Sequence, residues 1–293
     1  MSIKRAIYEI DTHQGLAGLN HQTLEARGSP VLMVHGFGSN ADIWFAHKTS
    51  IGHFFKTQGL DCWTLDLSNA IAGNIEILAH EDLLTSVDFI YKKKQKKVVI
   101  VAHSMGGIIA RVFTSPHFKH PYPLKRIEEM IKGIALLTVP NHGVEMGDIS
   151  KIEETVNTIR KLMKPDQEPI ESDFGLGFVQ LTYKSHLIQT LNKPLVLNPN
   201  ISWLNAIGTY DKVVPIKSAR FSDSETNQLP KFVQKEFACD HMVYPLASTL
   251  QKVIKATSSL LDAPKLDSKF VIYPAIHRFQ EVGEWIFTHL ISK

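Results

Sequence analysis

Residues 98–113 read VVIVAHSMGGIIARVF: five apolar residues, then the polar pair His103 and Ser104, then glycines and a second apolar stretch. A lone hydroxyl at the end of an apolar strand suggests a sharp strand-to-helix turn that lifts Ser104 clear of the sheet, with small neighbours, Ala102 and Gly106, that let the helix start at once. Backbone amides at that helix start then point toward whatever the serine attacks. A serine hydroxyl is a weak nucleophile until a base takes its proton, so an imidazole and a carboxylate are expected further on. The segment TYDKVVP places Asp211 after the apolar run ISWLNAIG, and ACDHMVYP places His241 after FVQKEF. In the order Ser104, Asp211, His241 the acid orients the imidazole and the imidazole activates the serine. Charge developing on an attacked carbonyl oxygen also needs donors. VHGFGSN, with His35, Gly36, Phe37 and Gly38, is a turn whose glycines permit an amide to face Ser104. The expected donors are the backbone N–H groups of Phe37 and Met105.

Other residues compete for these roles. His277, in VIYPAIHRF, also follows a strand-like run and precedes the last helix, but His241 is the expected base. Asp240 adjoins His241, yet neighbouring side chains point in different directions, which favours Asp211 as the acid. His35 reads as a structural residue of the oxyanion loop, and His103 and His142 are given no catalytic role. Cys62 and Cys239, the only two cysteines, read as packed thiols: two are too few for a disulfide scaffold, and they form no zinc motif.

These residues must be positioned by a larger frame. Short apolar runs alternate with amphipathic segments, the pattern of strands connected through helices into a parallel sheet. Strands are expected at Pro30–Val34, Cys62–Leu67, Val98–Ala102, Gly133–Leu137, Ser202–Gly208 and Lys231–Phe237, and helices at Asp42–Gln58, His80–Lys93, Met105–Ser115 and Ile276–Ile291. Runs such as VLMV and VVIVA, apolar at consecutive positions, suit strands covered on both faces. The fold class is therefore α/β, with a doubly wound, mostly parallel sheet in a single domain over residues 1–293. Between the fourth and fifth of these strands lie roughly sixty residues, far more than a crossover needs. Ile149, Ile152, Val156, Ile159 and Met163 recur there at helical spacing, and a second helix is expected within FGLGFVQLTYKSHLIQTL. The interval 141–197 is expected to form a helical cap over the carboxyl ends of the strands, with Ile152 and Val156 lining the substrate pocket.

Bulk composition excludes other classes. A chain of 293 residues with 44% hydrophobic content can bury one large core, and a net charge of +3 is too mild to imply nucleic acid as a partner. The lysine-rich YKKKQKK, ending at Lys97, reads as a solvated turn at the end of the sheet opposite the chemistry. No apolar stretch is long enough to span a membrane. Glu9 and Asp11 stand where a signal peptide needs its apolar region, so a cytoplasmic location is expected.

Taken together, VLMVHGFG, AHSMGG, LLTVPNHG, TYDKVVP and the final helix resemble the α/β-hydrolase superfamily, in particular its lipase and carboxylesterase branch. The usual G-x-S-x-G is Ala102-His103-Ser104-Met105-Gly106 here, an alanine-first variant similar to that of small Bacillus-type lipases. LTVPNHG also resembles the loop after the corresponding strand in many lipases and in GPI inositol deacylases. The resemblance implies a serine hydrolase that cleaves carboxylic esters of hydrophobic acyl groups through an acyl-enzyme, with no cofactor or metal and a small-molecule or lipid ester as its partner. A thioesterase or acyltransferase would use the same groups, and a fold relative that binds a ligand without turnover is the alternative of a different class.

Overall fold

The computed structural model describes residues 7–9, 28–37, 39–45, 48–67, 73–145, 176–194, 196–241, 276 and 280–292. These residues build a sheet of seven strands: β1 (Ile7–Glu9), β2 (Val31–Val34), β3 (Cys62–Leu65), β4 (Val98–His103), β5 (Ile131–Leu137), β6 (Ser202–Gly208) and β7 (Phe232–Phe237). Their spatial order is β1-β3-β2-β4-β5-β6-β7; β1 runs antiparallel to β3, and every other neighbouring pair is parallel. The doubly wound sheet and all six expected strands are present. The added strand β1 has only three residues, too short to leave a period in the sequence.

β4 lies in the middle, and its alternation explains the unbroken apolar run. Val98, Ile100 and Ala102 enter one core, and Val99 and Val101 enter the other. The first core takes in residues of the helices Leu84–Lys94, Met105–Thr114 and Leu124–Met130, and the second takes in residues of Ile51–Thr57 and Gln280–Ile286. Full burial of a valine, leucine or isoleucine is worth about 1.5–3 kcal/mol, so a strand that is apolar on both faces is stable only with helices on both. The two cysteines are free and buried. Burial pushes the Cys62 thiol up to about 12 and raises that of Cys239 as well, which suits packed, unreactive thiols.

Helix boundaries depart from expectation where local contacts intervene. Instead of one helix over Asp42–Gln58 there is a 3-10 turn, Ala41–Trp44, and a separate helix, Ile51–Thr57. Asn40 starts the turn by accepting from the Asp42 amide, and the Phe45 amide closes it on the Asp42 carbonyl. Gly52 lies so close to Trp44 that an added Cβ would be 2.5 Å from its carbonyl oxygen. The helix expected over His80–Lys93 starts earlier, at Ile75–Ile77, passes through a π-helical segment, Leu78–Leu83, and continues as Leu84–Lys94. The lysine-rich turn lies before β4, away from the carboxyl ends of the strands; Lys92 pairs with Asp88 at 2.6 Å, Lys94 with Asp61 at 3.0 Å, and Lys97 donates to the Glu128 carbonyl.

FGLGFVQLTYKSHLIQTL folds as two short helices, Leu176–Gln180 and His186–Leu191. The break comes from a long-range contact. Thr182 forms an isolated parallel bridge with Val144, in which the Val144 amide donates to Leu181 and the Tyr183 amide to Val144. Gly143, at φ +78°, has the Tyr183 backbone 2.6 Å from where a Cβ would stand, so only glycine allows this approach. The Gln180 side chain adds a second clamp, accepting from the Ile75 amide and donating to the Asn74 side chain. A third is Arg111, wholly buried, which donates to the carbonyls of Asn141 and Leu191 and to the Asn192 side chain. Burial without a bonded carboxylate pushes its guanidinium down to about 9. Ile149, Ile152, Val156, Ile159 and Met163 lie outside the described residues, as does His277. No helix among the described residues is long and apolar enough to cross a membrane.

Candidate active site

The strand order locates the site. From β2 the chain moves to β3 on one side and then returns to β4 on the other, and such a reversal opens a crevice at the carboxyl ends of β2 and β4. Val34 and Ala102 are paired in register, so the residues that follow them, His35-Gly36 and His103-Ser104, lie side by side.

Ser104 stands between β4 and the helix Met105–Thr114 with φ +53° and ψ −125°, a conformation costing about 1–3 kcal/mol that surrounding structure must impose. Its amide donates to the Leu137 carbonyl at 3.0 Å, continuing the β4–β5 ladder one residue past the strand. The glycines explain how the turn closes. A Cβ on Gly106 would lie 2.6 Å from the His35 carbonyl oxygen, and one on Gly36 would lie 2.7 Å from Ser104 Cβ. A Cβ on Gly107 would run into the Val139 side chain. The His35–Phe37 loop, the Ser104 turn and the VPN segment after β5 are thus in close contact at these glycines. The Met105 amide opens the helix beside Ser104, and the Phe37 loop borders it through Gly36. Gly38 is outside the described residues.

His35 holds that loop. Its Nε2 accepts from the Leu67 amide at 2.8 Å, which places the proton on Nδ1, and Nδ1–H donates to the Gly36 carbonyl at 2.8 Å. Burial, opposed by that bond and by Asp66, holds its pKa below the ordinary histidine value. The neutral ring is the form this arrangement requires, as expected of a structural histidine.

On the other side, Asp211 follows β6 and His241 follows β7. Asp211 Oδ2 accepts from His241 Nδ1 at 2.8 Å, and both side chains are almost fully buried, at 1% and 3% exposure. Asp211 Oδ1 accepts from the amides of Val213 at 2.8 Å and Val214 at 2.7 Å. With Nδ1–H donated to the acid, Nε2 of His241 carries the lone pair that a base needs. His103 links this pair to the nucleophile turn: its Nε2–H donates to the His241 carbonyl at 3.1 Å, and the two rings lie 4.6 Å apart. Sequence reasoning gave His103 no part in the site, and a buried histidine beside a serine carries no signal of a bond to a residue so distant in sequence.

Asp240, the competing acid, does not bond the imidazole. Its Oδ1 accepts from the amides of His241 at 2.7 Å and Lys212 at 3.3 Å. His142 is likewise engaged elsewhere, with Nε2 facing Glu225 Oε1 at 2.8 Å. Phe37 packs its ring against Phe178, centroids 4.7 Å apart, and so joins the His35–Phe37 loop to the helix Leu176–Gln180.

Comparisons with known proteins agree with this architecture. The chain resembles Triacylglycerol lipase 1 of Arabidopsis thaliana, with 27% identity over 129 residues that cover 38% of this chain and 30% of that protein. The match thus spans less than a third of the length of that relative. Among solved structures, Bacillus licheniformis lipase BlEst2 in its mature form superposes with a TM-score of 0.52 at 15% identity, covering 82% of this chain and 95% of that one. Aspergillus fumigatus lipase B gives a TM-score of 0.55 at 15% identity, covering 87% and 60% respectively. At such identities the likeness is one of fold. The profile of the alpha/beta hydrolase family matches residues 31–197, more than half of the chain, from β2 past the helix His186–Leu191. The chain belongs to the alpha/beta hydrolase family.

Proposed function

We propose that the protein is a serine hydrolase that cleaves carboxylic esters of hydrophobic acyl groups. The observation that carries this reading is the buried 2.8 Å Asp211–His241 pair, bonded through His103 to the turn that holds Ser104 in a strained conformation. In the reaction so inferred, His241 Nε2 takes the Ser104 proton as Oγ attacks the ester carbonyl. The carbonyl oxygen becomes an oxyanion that accepts from the Phe37 and Met105 amides. Collapse of the tetrahedral intermediate passes the proton from His241 to the leaving alcohol and leaves an acyl-Ser104. Water, activated by the same imidazole, then releases the acid. Asp211 keeps the Nδ1–H tautomer and stabilises the imidazolium while it lasts.

The interval 141–197 is read as a cap within a single domain. Supporting this, the part of it that returns to the core, Leu176–Gln180, places buried Phe178 against Phe37. Phe178 and Phe37 then form one wall of an apolar acyl site, to which Ile152 and Val156 are proposed to contribute. Each acyl methylene buried there adds up to about 0.8 kcal/mol until the site is full, so medium-chain esters are expected to react faster than acetates. The test is a fluorophosphonate together with a panel of acyl esters and thioesters of increasing chain length, applied to wild type and to Ser104→Ala. Labelling and hydrolysis are expected in wild type alone. A variant labelled at the wild-type rate would overturn the assignment, and thioesters outpacing esters would change the substrate class.

A further inference from the structure

We propose that Asp240 is a positioning residue for the acid–base pair, tying the loop that carries Asp211 to the loop that carries His241. This rests on the reading of Ser104, Asp211 and His241 given above.

The loops after β6 and β7 come from parallel neighbours, and the ladder between those strands runs on beyond them. The Thr209 amide donates to the Phe237 carbonyl at 2.9 Å and the Tyr210 amide to the Cys239 carbonyl at 3.1 Å. Past that point, besides the Asp211–His241 bond, the Asp240 carboxylate connects the two loops. Its Oδ1 receives the Lys212 amide from the acid loop and its own neighbour's amide, that of His241, from the base loop. The three amides that follow Asp211 are therefore shared between two carboxylates: Lys212 serves Asp240, and Val213 and Val214 serve Asp211. One oxygen atom thus fixes the backbone immediately after the acid and the backbone of the base itself. The Asp240 carbonyl also accepts from the Ile276 amide at 2.9 Å, which anchors the base loop to a third segment.

Asp240 is 5% exposed, and it sits close enough to buried Asp211 for the two like charges to repel. Burial raises its pKa, and the two amide bonds oppose that shift. A buried carboxylate next to another is a costly choice for packing alone, since an apolar side chain would fill the space without desolvating a charge. What an apolar residue cannot supply is the acceptor shared by the two loops. An asparagine can supply it. Asp211 and His241 face each other across a single hydrogen bond, so an error of about 1 Å in the relation of the loops can cost ~10²-fold in rate.

Three substitutions separate the contributions. Asp240→Ala removes the acceptor, Asp240→Glu keeps the charge but carries the acceptor one methylene further out, and Asp240→Asn keeps the acceptor without the charge. Turnover of a short ester is measured per active site titrated with fluorophosphonate, alongside KM and thermal stability, with Ser104→Ala in parallel. Asp240→Ala and Asp240→Glu are expected to lower kcat per titrated site by roughly 10- to 100-fold with KM little changed. Asp240→Asn is expected to restore kcat to within about threefold of wild type. Wild-type kcat per site in Asp240→Ala, whatever its melting temperature, overturns the proposal. If the alanine variant does not fold, the contrast between glutamate and asparagine decides, and equal kcat in those two overturns it. Full turnover in Ser104→Ala would instead remove the catalytic reading itself. Its loss, with every Asp240 variant unaffected, removes this inference alone.

Discussion

A Cβ added to Gly36 or Gly106 would meet Ser104 Cβ or the His35 carbonyl oxygen at 2.7 and 2.6 Å. The loops bearing Asp211 and His241 instead meet through bonds of 2.7–3.3 Å to two carboxylates. Ser104 is positioned by exclusion: three short loops approach until only glycine fits between them. Asp211 and His241 are positioned by attraction, through donors and acceptors that must find one another after the strands have ended. The first arrangement is expected to be sensitive above all to added volume. The second tolerates a change of volume at its edges but not the loss of an acceptor. Errors on the two sides should therefore show up differently, in folding on one and in chemistry on the other.

The largest expected effect is on the bonded side. Asp211→Asn keeps the shape, but the Val213 and Val214 amides still demand an oxygen, which turns the new NH2 toward His241 Nδ1. The imidazole must then carry its proton on Nε2, where it cannot accept from Ser104. A loss of about 10⁴-fold in kcat is expected, with the melting temperature nearly unchanged. Ester hydrolysis and thermal denaturation measured together check this, and an equal loss in both would erase the distinction between the two sides. Next comes Gly106→Ala on the excluded side. Its methyl would press on the Val34 and His35 carbonyls, which belong to backbone and cannot rotate away. The expected cost is about 1–3 kcal/mol of stability and roughly 10²-fold in activity. Activity lost with stability intact would show that the turn is held by bonding after all.

The smallest effect concerns protons. His35, His80 and His120 all lie below the ordinary histidine value, each chiefly through burial, His80 at about 4. Unfolding returns each to about 6.5, so below that pH the unfolded chain binds protons that the folded chain refuses. Their contribution to stability is complete above about pH 6.5 and is lost as the pH falls toward the lowered folded values. A melting temperature that declines between pH 6.5 and 4, more shallowly in His80→Gln, is the expected result. A flat profile would mean that these rings are protonated in the native state. His35 makes the test relevant to the comparison, because its two hydrogen bonds lie on the excluded side.

The same contrast explains what the sequence could reveal. Exclusion is written in residue types: Gly106, two residues after Ser104, and Gly36, within HGFG, need no partner to be recognised. The pairing of Asp211 with His241 was legible as well, because each falls just past a strand, in chain order. Asp240 and His103 were not. Their contribution is a bond to a backbone amide or carbonyl, and any residue type supplies that partner. The break at Thr182 was hidden for a related reason, since the apolar spacing of FGLGFVQLTYKSHLIQTL satisfies a continuous helix, while the bridge to Val144 and the Ser185 cap interrupt it.

That bridge has an evolutionary consequence. Val144 and Thr182 are bridged through one pair of backbone bonds, and backbone bonds do not depend on side-chain identity. Closing a loop costs free energy that grows only with the logarithm of its length, about 0.6 kcal/mol per doubling. Changes of length or sequence between the two bridge residues are therefore expected to leave the strands and the loops that follow them in register. Descendants of such a chain would diverge in what they admit long before they diverge in what they do to it.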